Sequence, residues 1–273
     1  MLAFGKKRGG LARSPAADLY LELLKNCVGN RIYDDDLDLM QGSFSRDPVS
    51  GKIISNTPGP MDEDQKYLGL VWPSRAHTMI GVPRLDNLRA CAEAVLDDGV
   101  EGDFIETGVW RGGAVIFMRG ILKAYGITDR IVWVADSFEG LPPADTAKYP
   151  KESPVPFHEY GELAISLEQV QRNFARYGLL DGQVKFLKGW FRDTLPTAPI
   201  RKLAILRLDG DLYESTMDAL KLYPKLVSGG FVIVDDYNNV KACNDAIEDF
   251  RRDNGIADPL KLIEGGGAFW RKS

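Results

Sequence analysis

The sequence predicts an α/β protein: a doubly wound, mostly parallel sheet of seven strands with an N-terminal helical, lid-like extension. Three observations predict it. Short apolar runs without polar alternation stand at 203–208 and 229–234, with further buried-strand segments at 102–106 and 131–136, and such runs read as strands buried on both faces, as in a parallel sheet. Segments with apolar residues at helical spacing separate them, which is β-α-β alternation. The runs also stop on acids, namely Glu106, Asp136, Asp209 and the Asp235-Asp236 pair. Parallel strands carry those acids to one carboxyl edge, where open α/β sheets bind ligands.

Length and composition agree. A chain of 273 residues that is 44% hydrophobic can bury one large α/β core plus an accessory segment. We expect an N-terminal arm and substrate-covering lid over residues 1–80 and a catalytic domain over 81–273. The net charge of −5, with no basic stripe, argues against a nucleic-acid partner. Cys27, Cys91 and Cys243 are scattered without metal spacing, which fits a reducing cytoplasm. The basic cluster Lys6-Lys7-Arg8 leads into Gly-Gly and an amphipathic stretch, so no signal peptide is expected. No apolar run has the length of a membrane span.

Residues 1–13 are expected to fray. Ser14-Pro15 opens a helix, a cap followed by proline at the first helical position. Leu19, Leu23, Tyr20, Leu24 and Cys27 continue it at helical spacing, and Gly29-Asn30 closes it. Tyr33 to Arg75 has no sustained period and reads as a functional lid. Its apolar residues Leu37, Leu39, Met40, Phe44, Ile53 and Ile54 would pack it down, and its acid run Asp34 to Asp38 reads as a solvated loop. A helix follows from Pro83 to Val95, burying Leu85, Leu88, Cys91, Ala92 and Val95.

The first core strand, 102–106, runs into Thr107-Gly108-Val109-Trp110-Arg111-Gly112-Gly113, and a helix continues to Lys123. An acid, a glycine and two further glycines form a nucleotide-type turn, in which glycine lets backbone approach a ligand facing the helix amino end. The spacing is not G-x-G-x-x-G, which weakens a pyrophosphate cradle and makes a nicotinamide dehydrogenase a remote reading. Asp136 ends the second strand. Alone it could be a plain helix cap, but with Glu106 and the glycine turn it reads as the acceptor for ribose hydroxyls. Phe138 to Tyr160 is a proline-rich loop. His158 within it, and His77 before the core, read as surface residues rather than bases.

Ser166-Leu-Glu-Gln169 has the form of a capping box and opens a helix to Tyr177. The third strand, 183–189, leads to Trp190-Phe191, which could stack on a purine or close the core. Two strands then flank a helical pattern from Tyr213 to Leu226. A helix spans Val240 to Arg252, and two short strands around three glycines form a closing hairpin with an antiparallel edge. Asp209, Asp235 and Asp236 thus meet on neighbouring strand ends. Each alone could be a cap or a solvated residue. Together they repel one another unless a cation sits among them, and hard oxygen ligands suit Mg²⁺.

The strand order, with Phe104-Ile-Glu-Thr-Gly108 at the first turn and Asp136 after the second strand, resembles the class I S-adenosylmethionine-dependent methyltransferases, which are Rossmann-like. Longer motifs narrow the likeness: Phe104-Ile-Glu-Thr-Gly-Val-Trp-Arg-Gly-Gly113, Ala135-Asp-Ser-Phe-Glu-Gly-Leu-Pro142, Phe186-Leu-Lys-Gly-Trp-Phe-Arg-Asp-Thr-Leu-Pro196, Leu208-Asp-Gly-Asp-Leu-Tyr-Glu-Ser-Thr216 and Val234-Asp-Asp-Tyr237. They look like the macrocin O-methyltransferase family over Pro15 to Trp270. That resemblance implies Mg²⁺-dependent transfer of a methyl group from S-adenosylmethionine to a hydroxyl of a deoxysugar on a glycosylated natural product such as an antibiotic. It implies Asp209, Asp235 and Asp236 as metal ligands. It implies a cofactor site of Thr78, Met79, Glu106, Thr107, Gly108, Val109, Trp110, Asp136, Ser137, Gly189 and Trp190, and an arm that covers the acceptor.

A carboxylate at the metal could then take the hydroxyl proton. Asp209 is the first candidate and Asp211 the second, with Arg207 and Lys188 structural. The alternatives are a catechol-type O-methyltransferase, which uses the same metal chemistry on a vicinal phenolic diol, and a non-catalytic nucleotide-binding scaffold, against which the intact acid set argues. A homodimer is expected from the exposed apolar arm.

Overall fold

The structure is a computed structural model that describes residues 11, 13–49, 51 and 53–273, without the side chains of 42–44, 54 and 55. The expected fraying of 1–13 and the expected packing of Phe44 and Ile54 lie largely outside that range. In chain order the elements are α1 (Pro15–Val28), β1 (Leu37–Arg46), β2 (Ile53–Pro60), α2 (Glu63–Leu68), α3 (Gly81–Asp97), β3 (Asp103–Thr107), α4 (Gly113–Ala124), β4 (Val132–Asp136), α5 (Leu167–Arg176), β5 (Val184–Lys188), α6 (Phe191–Thr194), β6 (Leu203–Leu208), α7 (Tyr213–Leu220), β7 (Leu226–Val234), α8 (Lys241–Asp253), β8 (Lys261–Leu262) and β9 (Ala268–Arg271).

Seven strands form one sheet in the order β5-β4-β3-β6-β7-β9-β8. The first five are parallel, and β9 runs antiparallel to both β7 and β8. This is the predicted doubly wound sheet with its antiparallel edge. Its topological switch lies between β3 and β6: the chain winds outward through β4 and β5, then returns. Alternating side chains send Phe104 and Val134 to one face, under α3, α4 and α5, and Ile105, Leu206 and Val232 to the other, under α7 and α8. Helix α1 adds Leu21, Leu24 and Val28 to the first core. Ser14 caps it as expected, its Oγ accepting from Ala17 N at 3.1 Å. Among the described residues, no helix is long and apolar enough to cross a membrane.

Four expectations are corrected. The segment 33–75 is not patternless: β1 and β2 pair antiparallel, from Leu37 opposite Pro60 to Arg46 opposite Ile53. Register shifts inside the pair, together with Gly42, Pro58 and Gly59, erase the alternation that would have revealed it. The acid run is only partly solvated. Asp36 is buried, accepts from Arg75 N at 2.6 Å and pairs with Lys66 at 2.9 Å, while Asp38 accepts from Met40 N at 2.9 Å and Trp72 N at 3.2 Å. Helix α7 stops at Leu220 rather than Leu226: Pro224 has no N–H to give to Leu220 O, and Tyr223–Lys225 form a separate 3-10 turn. Finally, Ser166 caps α5, but the Gln169 side chain turns to Asn173 at 2.8 Å, so only half of the capping box forms.

Candidate active site

The carboxyl edge of β3, β4, β6 and β7 opens into a cavity of about 540 Å³, within the range of small-molecule sites. Thr78, Met79, Glu106, Gly108, Val109, Trp110, Asp136, Ser137 and Trp190 line it, as do Asp209, Asp211, Asp235 and Asp236. Two residues of the expected cofactor set do not. Thr107 is fully buried, its hydroxyl donating to Arg207 O at 3.3 Å, and Gly189 turns its N–H onto Asp136 O at 2.9 Å.

Strand ends make the site, and the backbone is bent to make it. Trp110, Phe138 and Asp211 have φ of 46°, 58° and 55°. Each follows a strand (β3, β4 or β6) and occupies the left-handed region that side chains avoid. Such backbone persists only where its surroundings hold it, and it gathers at functional sites. Asp136 is one of the supports: its carboxylate accepts from Val109 N at 2.8 Å and Phe138 N at 2.7 Å, clamping two of these turns together. Burial pushes its carboxyl above the usual range, against those hydrogen bonds. A carboxylate has room for further donors, so a hydroxyl-bearing ligand remains compatible with it.

The glycines of the first turn answer to the protein. A Cβ on Gly108 would sit 1.8 Å from Asp209 O, and one on Gly113 would sit 2.5 Å from His77 O. Glycine at 108 is what lets the end of β3 lie against the end of β6. It brings Glu106 and Asp209 side by side.

Asp209, Asp235 and Asp236 each offer a carboxylate oxygen, all within 4.8 Å of one another. Two buried arginines hold this cluster. Arg207 donates to Asp209 at 2.7 Å and also to Glu106 and Asp235. Arg84 donates to the other oxygen of Asp235 at 2.5 Å and to the carbonyls of Ile80 and Gly69 at 2.7 and 2.5 Å. Part of the repulsion expected among the acids is therefore met by the protein itself. It is not met in full, because Glu106, Asp209, Asp211, Asp235 and Asp236 share two guanidinium groups.

The excess shows in the acid–base balance. Burial, ahead of the neighbouring charges, pushes Asp211, Asp235 and Asp236 above the carboxylate range and Glu106 up to about 8, against the pull of Arg207. Among the described residues, buried Asp236 Oδ2 and Glu106 Oε2 have no hydrogen-bond partner. An all-oxygen donor set with excess negative charge and an orphaned carboxylate oxygen fits a hard divalent cation.

The sequence had pointed to the acids and missed what surrounds them. Arg207, expected to be structural, does its structural work inside the site, holding Glu106, Asp209 and Asp235; it lies two residues before Asp209, on the same side of an extended chain. A cation inside a buried strand, in phase with a terminal acid, was a legible sign of pairing. Arg84 left no such sign, because its partner lies 151 positions away. The arm also reaches the cavity through Met40, Leu70 and Trp72. Trp72 meets Tyr160 of the proline-rich loop edge-on at 5.4 Å, and Arg46 of the hairpin pairs with Glu159 of that loop at 3.3 Å. His158 is exposed as expected. His77 is not a surface residue but half-buried, 2.8 Å from Tyr177 OH, and does not line the cavity.

Sheet order, switch point and acid cluster together define an α/β transferase-type site, and comparison with known proteins makes the class specific. The macrocin O-methyltransferase (TylF) family model matches residues 17–272. The chain is 54% identical over 258 residues to the 8-demethyl-8-(2,3-dimethoxy-α-L-rhamnosyl)-tetracenomycin-C 4'-O-methyltransferase of Streptomyces olivaceus, covering 94% of this chain and 93% of that protein. It is 49% identical over 267 residues to the mycinamicin III 3''-O-methyltransferase of Micromonospora griseorubida, covering 96% and 100%. The solved structure of the O-methyltransferase NovP superposes with a TM-score of 0.82 at 46% identity, over 94% of this chain and 99% of that one. The chain belongs to the macrocin O-methyltransferase family and is an O-methyltransferase.

Proposed function

We propose that the protein methylates a hydroxyl of a deoxysugar on a glycosylated natural product, with S-adenosylmethionine as methyl donor and Mg²⁺ as cofactor. One observation carries the reading: a single cavity holds both the glycine-turn edge of β3 and β4 and the acid cluster of β6 and β7. The rhamnosyl group in the name of the Streptomyces olivaceus relative's acceptor supports the acceptor class. We also take residues 1–80 as the arm covering the acceptor of an 81–273 catalytic domain, in a cytoplasmic homodimer.

In this proposal Trp190 and Trp110 offer apolar faces to the donor's adenosine, and Asp136 and Ser137 its polar contacts. Asp209, Asp235 and Asp236 hold the cation, which when bound offsets negative charge on a hydroxyl pair and eases its ionisation. The protein's own part is to orient one hydroxyl oxygen in line with the methyl group and to accept its proton. As the new O–C bond forms, the C–S bond breaks and its electron pair stays on sulfur, leaving S-adenosylhomocysteine. Both Asp209 and Asp211 face the cavity. Asp211 suits the proton better, because the Asp209 carboxylate is held by the Arg207 cation at 2.7 Å and belongs to the three-oxygen set, whereas Asp211 lies outside that set and meets the Asp236 carboxyl beside it.

Calorimetric titration with S-adenosylmethionine and S-adenosylhomocysteine, with and without Mg²⁺, tests the cofactor. We expect micromolar binding of both, and mass gain of one methyl on a rhamnosyl glycoside but not on a catechol. Absence of binding in metal-replete buffer would overturn the assignment, and methylation of the catechol alone would overturn the acceptor class.

A further inference from the structure

We propose that Glu152, in the proline-rich loop and outside the cavity lining, is a positioning residue that sets the turn carrying Asp209 and Asp211. The proposal rests on the reading of that turn as catalytic. Helix α7 begins immediately after it, and a helix start leaves several backbone N–H groups without intrahelical partners. The residue before α7 is Leu212, which has no side-chain oxygen with which to cap them. Glu152 supplies the cap from elsewhere in the chain: its two carboxylate oxygens accept from Tyr213 N at 2.9 Å and Glu214 N at 3.0 Å, and it is only 7% exposed. It also accepts from Ser153 N at 2.8 Å. All three donors are backbone amides, and two of them stand at the amino end of α7, where peptide dipoles favour an anion.

The turn needs such a hold. Asp211 sits at φ 55°, and Leu212 N closes onto Gly210 O at 2.5 Å. On the strand side the backbone is pinned by Asp209 N donating to Thr107 O at 2.9 Å. On the helix side the pin is Glu152. Strained backbone keeps its shape only when both flanks are fixed. Releasing one flank lets Asp211 relax toward ordinary dihedrals and carries its carboxylate away from the acceptor, while the edge of β3 and β4 stays in place.

The loop has other anchors, which keeps the test clean. Lys151 pairs with Asp249 at 2.5 Å, and Lys148 pairs with Glu214 at 3.0 Å. The experiment compares Glu152→Ala, Glu152→Gln, Lys151→Ala and Asp211→Asn in the full chain. We expect Glu152→Ala to lower kcat about ten- to a hundred-fold, the scale of a sub-ångström to ångström misplacement at a reacting group. Acceptor KM and calorimetric S-adenosylmethionine affinity should stay within about three-fold. Glu152→Gln, which keeps one acceptor oxygen, should fall between Glu152→Ala and the unaltered protein at near-unchanged Tm. Lys151→Ala, which loosens the same loop but leaves both Glu152 bonds to the α7 backbone in place, and leaves Asp249 still accepting from Tyr213 OH, should keep kcat.

Unchanged kcat in both Glu152 variants would overturn the proposal, as would parallel loss of kcat, cofactor affinity and Tm. Full turnover by Asp211→Asn beside an impaired Glu152→Ala would remove Asp211 as the base but leave the positioning of the turn, through Asp209, standing.

Discussion

At the scale of single residues, the site divides labour among five carboxyl groups that look alike in the sequence. Arg207 and Arg84 fix Asp209 and Asp235. Among the described residues Asp236 Oδ2 has no hydrogen-bond partner, and Asp211 stands on a strained turn outside the three-carboxylate cluster. The consequence is a separable pair of variants. Asp209→Asn should weaken Mg²⁺ binding and abolish turnover together. Asp211→Asn should leave Mg²⁺ affinity within a few fold and lower kcat by about 10²- to 10⁴-fold, the usual worth of a positioned base. Calorimetry and single-turnover kinetics check the two. Equal loss of metal affinity in both would contradict the division.

His77 provides a test of a different kind. Burial first, then the charges of Arg111 and Arg176, lowers its pKa from 6.5 to about 4. Between those values the unfolded chain binds a proton that the folded protein refuses. The stability contributed by the neutral ring is therefore complete above about pH 6.5 and is lost as pH falls toward 4. With allowance for its partial contact with water, about 1 to 2 kcal/mol should disappear across that window. In His77→Gln the urea midpoint should vary less between pH 7 and 4.5. An unchanged pH dependence would remove His77 as its source.

At the scale of elements, the N-terminal segment is held together by its own buried contacts. Its hairpin was invisible because bulges and prolines break period-two alternation. Inside that segment the buried pair between Asp36 and Lys66 ties the approach to the hairpin to α2, with Lys66 also donating to Asn30 O at 2.9 Å. Removing one partner of such a pair leaves an uncompensated buried charge. Lys66→Met should cost about 3–5 kcal/mol, and adding Asp36→Asn should recover much of it. A double-mutant cycle in urea measures this, and additive losses would show that the two side chains act independently.

At the scale of the whole molecule, the parts legible in the sequence are those whose physics is local. Strands buried on both faces announce themselves as apolar runs, so the sheet, its antiparallel edge and the acids at its carboxyl end could all be read. Helix α1 could be read from a cap and a proline. What escaped depends on contacts between distant positions: the two arginines inside the acid cluster, Thr107 turned into the sheet, and Glu152 capping a helix sixty residues away. Even the glycine turn, readable as ligand-facing, owes Gly108 to the approach of Asp209.

The central claim is that the cluster of Asp209, Asp235 and Asp236 works as a metal centre for methyl transfer to a sugar hydroxyl. The most direct test is to strip the protein with chelator and follow methyl transfer from S-adenosylmethionine to a rhamnosyl glycoside by mass spectrometry as Mg²⁺ is returned stepwise. The account predicts no transfer in chelator and saturable recovery with Mg²⁺, absent from Asp236→Asn. Undiminished transfer in chelator would contradict it.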